Sequence, residues 1–113
     1  MEVQEREIIY YEAPDGKKSV QEWLYSLKDV IARAKIRARI DRVKLGNLGK
    51  CNPVGQGVME LKVDFGPAYR IYFGQMGKAL IILLCGEDKS TQSKDIKSAH
   101  EYWADYKRRH ANE

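Results

Sequence analysis

The chain has 113 residues, the length of one domain, and can build its own core without disulfide or metal staples. A composition 43% apolar and 32% charged excludes a disordered chain, and the longest strongly apolar run, ALIILLC at 79–85, is too short to span a bilayer. The formal charge of +4 favours polyanion partners without specifying one.

The first residues, MEVQEREIIYYEA, lack the charged-then-apolar layout of a signal peptide, so a cytoplasmic, non-exported protein is expected. EIIYY at 7–11 reads as a first strand, and Ala13-Pro14-Asp15-Gly16 as the turn that ends it. Ser19 followed by Glu22 has capping-box spacing for a helix over 20–27, which buries Val20, Trp23, Leu24 and Leu27. Trp23 is assigned to the core.

Asp29 caps a second helix that runs to about Leu45 and stops at Gly46-Asn47. Ala32, Ile36, Ile40 and Val43 form its apolar stripe. Seven cations, Lys28, Arg33, Lys35, Arg37, Arg39, Arg42 and Lys44, stand against Asp29 and Asp41. At 100° per residue Lys28, Lys35, Arg39 and Arg42 share one flank of the stripe. Such a face is either simply solvated or a contact surface for a phosphate backbone.

Residues 48–57, LGKCNPVGQG, read as a loop leading into the central stretch VMELKVDFGPAYRIYF at 58–73. Val58, Glu60, Lys62 and Asp64 alternate with Met59, Leu61, Val63 and Phe65, the period of a half-buried strand. Gly66-Pro67 breaks the run, and a second strand follows with Arg70 and Tyr72 on one face. Lys62, Arg70 and Tyr72 are therefore expected on one exposed hairpin face. Two cations and a phenol there suit a phosphodiester, and they equally suit an ordinary solvated sheet.

Residues 75–78 make the next turn, and 79–85 read as the middle strand of a covered sheet. A last helix, capped by Ser90 or Thr91, carries Ile96, Ala99, Trp103 and Tyr106 as an apolar stripe, with His100 beside it. His100 is read as a packing or hydrogen-bonding histidine, with general-base chemistry the alternative. Lys107-Arg108-Arg109-His110 ends it with a basic tail. Cys51 and Cys85 lie far apart without a CxxC pattern and read as free thiols. Neither His100 nor His110 has metal-ligand spacing to other donors, so no metal site is expected. The expected order is β-α-α-β-β-β-α, an α+β domain with a small, mainly antiparallel sheet and the helices on one face.

Four segments together, EWLYSLKD, ARAKIRARIDRVKLGNLGKCNPVGQGVMELK, FGPAYRIYFG and ILLCGEDKSTQSKDIKSAHEYW, resemble the addiction-module killer proteins. These are also described as phage-derived host-killing proteins, in the RelE/HigB branch of the RelE/ParE toxin superfamily. The resemblance covers about residues 7–106.

It implies a RelE/ParE-like fold and the toxin of a type II toxin–antitoxin pair, neutralised by a cognate antitoxin that often carries a helix-turn-helix. RelE-like members cleave messenger RNA on the ribosome through the RNA's own 2′-hydroxyl, without metal or cofactor, and so inhibit translation. ParE-like members inhibit DNA gyrase.

By the same resemblance Lys62 matches a catalytic lysine, Arg70 an arginine that grips the scissile phosphate, and Lys89 falls near a further cation. Glu60 stands where the archetype has a second cation; it is a candidate base for the 2′-hydroxyl or a salt-bridge partner. The archetype's C-terminal tyrosine has no clear match, which leaves Tyr72 and His100 as candidates on chemistry alone. Lys35, Arg39 and Arg42 are the expected ribosomal RNA contacts. A toxin that has lost activity and persists as an antitoxin-binding module is the remaining expectation, raised by Glu60.

Overall fold

In the computed structural model the described residues are 5–66, 68–77, 80–88 and 92–111. They form β1 (Glu7–Tyr10), α1 (Ser19–Ser26), α2 (Val30–Lys44), β2 (Cys51–Pro53), β3 (Val58–Val63), β4 (Tyr69–Met76), β5 (Leu80–Asp88) and α3 (Gln92–Arg109). One five-stranded sheet has the order β1-β5-β4-β3-β2. It is an α+β fold with a mixed sheet: β2 to β5 pair antiparallel, and β1 pairs parallel to β5, Ile8 opposite Ile81.

The local sequence accounts for most of these elements. Asp29 accepts hydrogen bonds from the Ile31 and Ala32 amides, satisfying two donors of the first turn of α2. At the other end Gly46 has φ +101°, the Gly46 amide donates to the Val43 carbonyl and the Asn47 amide to that of Arg42. That is a Schellman stop, open to a residue without a Cβ. Ala32, Ile36, Ile40 and Val43 are all buried, as their spacing requires.

Three local expectations change. The 48–57 segment contributes β2, which pairs with Met59, Glu60 and Leu61 of β3. The strand over 7–11 ends at Tyr10. Ser19 lies inside α1, preceded by Lys18, which makes no side-chain cap. The caps expected at Ser90 or Thr91 lie outside the described residues.

The largest change concerns the layers. Helices cover both faces of the sheet instead of one. Val20 and Leu24 of α1 and the α2 stripe pack with Leu61, Val63, Ile71, Phe73, Ile81 and Leu83. Ala99, Trp103 and Tyr106 of α3 pack on the opposite face with Val58, Tyr72, Ile82 and Leu84. A strand apolar on both faces needs cover on both, and Leu83 and Leu84 each meet a different helix layer.

Trp103 lies against the sheet because Gly74 has no side chain, a Cβ there falling 2.3 Å from the indole. Gly86 receives Trp23 on the other face in the same way, at 2.5 Å.

Candidate functional site

The β3–β4 register sets Glu60 opposite Tyr72 and Lys62 opposite Arg70; the β4–β5 register sets Arg70 opposite Glu87 and Tyr72 opposite Cys85. Directly opposed residues project to the same face. A register shift between Tyr72 and Phe73 interrupts the β4–β5 ladder. Leu84 and Cys85 consequently both join the core beneath α3, which breaks strict alternation along β5. Glu60, Lys62, Arg70, Tyr72 and Glu87 thus share one patch of the α3-side face.

The expectation of an exposed face is corrected here: α3 covers it. Tyr72 is 0% exposed, Glu60 4%, Glu87 4% and Arg70 9%. Lys62 alone of this group is half-buried, its side chain 38% exposed at the rim.

The Arg70 Nε lies 3.3 Å from Glu60 Oε2, and Lys62 Nζ lies 4.0 Å from Glu60 Oε1. Glu60 therefore stands between two cations, the salt-bridge reading of that residue. Arg70 Nε and Nη1 are buried without a hydrogen-bond partner, so the ion pair leaves donor capacity unused on the guanidinium. The Tyr72 hydroxyl donates to Glu87 Oε1 at 2.7 Å. Burial, reinforced by the Glu60 charge and opposed by Arg70, raises the Tyr72 pKa and holds the phenol neutral. Burial also raises the pKa of Asp95 on α3 and pushes the Cys85 thiol up to about 12.

Chemically the patch offers two cations that can stabilise an oxyanion, a carboxylate between them that can accept a proton, and a neutral phenol behind. Only Lys62 reaches solvent directly. Glu87 and Asp95 were not singled out by sequence reasoning; the strand's period would have located Glu87 had the irregularity at Tyr72 been visible.

The basic residues of α2 reach β3 from the other side. α2 packs on the face of Leu61 and Val63, whereas alternation turns Lys62 with Val58 and Glu60 toward α3. Lys35, Arg39, Arg42, Lys50 and Lys62 border an open cleft of about 380 Å³, whose one carboxylate, Asp64, pairs with Lys50 at 3.2 Å. Lys62 borders both the cleft and the buried patch. Lys35 and Arg42 are exposed.

Arg39 differs from both. It is buried, and its guanidinium donates to the carbonyls of Leu48, Lys50 and Lys62, riveting the loop after α2 to β3. Burial and the neighbouring Arg42 lower its pKa. These contacts leave Arg39 as the support of the cleft more than as its contact surface.

His100 Nε2 lies 2.9 Å from the Val54 carbonyl, the hydrogen-bonding role expected of it. Lys89 lies outside the described residues. Among the described residues no three His, Cys, Asp or Glu side chains are grouped to hold a metal ion, and no helix is long and apolar enough to cross a membrane.

No family model matches the chain. It is 52% identical over 77 residues to an uncharacterised protein of Haemophilus influenzae, the matched stretch spanning 68% of this chain and 78% of that protein. At that identity and coverage, the chain belongs to the same family as the H. influenzae protein.

Proposed function

We propose that the chain is a RelE/HigB-like toxin of a type II toxin–antitoxin pair, a ribosome-dependent messenger RNA endoribonuclease that inhibits translation in the cytoplasm. The fold would be RelE/ParE-like with β2 added to its edge. The observation that carries this reading is the Lys62–Glu60–Arg70 arrangement, in which two cations from paired strands flank one carboxylate.

In the reaction the 2′-oxygen attacks the adjacent phosphorus and the 5′-oxygen leaves, giving a 2′,3′-cyclic phosphate and a 5′-hydroxyl. Glu60 takes the 2′-hydroxyl proton and returns it through water to the departing 5′-oxygen, while Arg70 and Lys62 stabilise the added negative charge on the pentacoordinate phosphorus. The buried, unused Nη1 donor of Arg70 would serve that charge. No metal or cofactor is needed. Lys35 and Arg42, with Lys50, would hold phosphates of ribosomal RNA along the other face, and a helix-turn-helix antitoxin would cover the cationic surface.

The burial of Arg70 and Tyr72 and the pairing of Glu60 favour a second reading. Here the chain is an inactive toxin kept as an antitoxin-binding module. A gyrase inhibitor of the ParE kind would leave messenger RNA intact.

The test is 5′-end mapping of cellular messenger RNA minutes after induction of the wild-type chain, Lys62→Ala and Arg70→Ala. Lys62 lies at the rim, and Arg70 still pairs with Glu60 in its absence, so Lys62→Ala serves as the variant that keeps the fold. New ends within translated codons that disappear in both variants support cleavage at this patch. Growth arrest without new ends removes the nuclease reading in favour of a protein-binding inhibitor, and the absence of both arrest and cuts favours the binding module.

A further inference from the structure

β1 covers only part of β5. Its four residues, Glu7–Tyr10, pair with Leu80–Leu83, and the Tyr11 amide adds a last bond to the Leu83 carbonyl before the chain turns away. β5 continues to Asp88. Residues 85–88 have β4 on one side, and among the described residues no strand on the other.

A groove of about 460 Å³ runs along this uncovered edge, with Cys85 and Gly86 at its floor. α1 forms one wall through Glu22 and Trp23, and α3 the other through Asp95 and Ser98. Because α1 and α3 pack on opposite faces of the sheet, the groove between them lies in the plane of the sheet. That is the position of a further strand, whose backbone would meet the edge of β5 as β1 does.

β1 already occupies the same slot further along. Gly86, with the Trp23 ring where a side chain would begin, presents bare backbone there. An uncovered edge of this kind is what proteins otherwise blunt or use.

We propose that the outer edge of residues 85–88 is a strand-addition site for an extended segment of a partner protein. That segment alternates apolar and basic side chains, apolar toward Trp23 and basic toward Asp95. Charge complementarity selects this occupant: the wall charges are Lys17, Glu22 and Asp95, a net −1 with the acidic excess on the α3 side. Alternation of a strand's side chains lets one segment meet the two walls with two chemistries. The site is at the far side of the sheet from β2 and goes beyond the RNA-cleavage reading, on which it does not rest.

The experiment uses the full chain and a capped hexapeptide, Val-Lys-Val-Lys-Val-Lys, followed by Trp fluorescence and amide hydrogen exchange. Saturable binding within the millimolar range, with added protection confined to amides of residues 85–88, is expected. Norleucine in place of lysine should weaken binding about fivefold, the scale of a partly exposed ion pair. The peptide carries that substitution, so the result does not depend on a protein variant folding. No saturation, protection elsewhere, or equal affinity of the norleucine peptide overturns the proposal. Sedimentation showing a dimer with this edge already protected overturns it too, by assigning the slot to a second copy.

Discussion

Glu60→Ala tests the buried patch most directly. The substitution removes the carboxylate 3.3 Å from Arg70 Nε and leaves a guanidinium that is 9% exposed with no counter-charge at that position. Removing one member of a buried ion pair costs about 3 kcal/mol, because the surviving charge keeps its desolvation penalty. For a domain of this length that corresponds to a fall in Tm of about 12 °C. Urea denaturation of wild type, Glu60→Met, Arg70→Met and the double variant Glu60→Met/Arg70→Met gives the full cycle, with Glu60→Ala measured beside it. The double variant should recover most of the loss, since neither charge is then buried. A single-variant cost below about 1 kcal/mol would refute the reasoning, showing that water already solvates the pair. It would also mean that Glu60 releases Arg70 easily, which the cleavage mechanism requires.

Arg39 and Arg42 should separate cleanly. Arg39→Met, which strips donors from three backbone carbonyls, should cost about 2 kcal/mol in denaturant unfolding, while exposed Arg42→Ala stays within about 0.5 kcal/mol. In RNA binding the order reverses. Arg42→Ala should flatten the slope of log affinity against log salt by about 0.7–0.9, and an unchanged slope returns α2 to an ordinary solvated face. Of the two thiols, partly exposed Cys51 should react with Ellman's reagent in the native protein. Cys85, buried and with its pKa pushed up to about 12, should react only on unfolding; two fast thiols would contradict its placement.

Tyr11 is raised to about 12, by burial first and then by its hydrogen bond to Asp105, with Arg109 opposing. The folded state therefore holds the proton more tightly than the unfolded chain. This stabilisation is complete below pH 10 and is lost as pH rises from 10 to 12. Phenolate absorbance should show Tyr11 ionising only near pH 12, and Tyr11→Phe should remove its share of the alkaline loss. An early-titrating Tyr11 would refute the placement.

Period and punctuation carry much of this fold. The Asp29 cap, the Gly46 stop and the stripes on α2 and α3 follow from local rules, because each depends on residues within one or two turns. The two-sided apolar pattern of 79–85 already implied cover on both faces, a consequence that placing all helices on one face overlooked. β2 was illegible because Cys51–Pro53 is only three residues long and takes its structure from β3. At the site, alternation correctly set Glu60 and Lys62 on one face, and Arg70 and Tyr72 on another strand's matching face. Their burial was beyond it, since exposure depends on where α3 lands. Glu87 escaped notice for a related reason: the register shift beside Tyr72 is a tertiary feature with no local signature.

The parallel pairing of β1 with β5 has a consequence for the order of folding. β2 to β5 are neighbours in sequence as well as in space, so that part of the sheet can form from short-range closures. β1 precedes β2, β3 and β4 in the chain, and its partner Leu80–Leu83 follows them. During synthesis β1 must wait unpaired until β5 is made, and its docking closes a long loop that runs through α1, α2, β2, β3 and β4. Changes in Glu7–Tyr10 should therefore speed unfolding with little effect on the folding rate, whereas changes in the β3–β4 hairpin should slow folding itself.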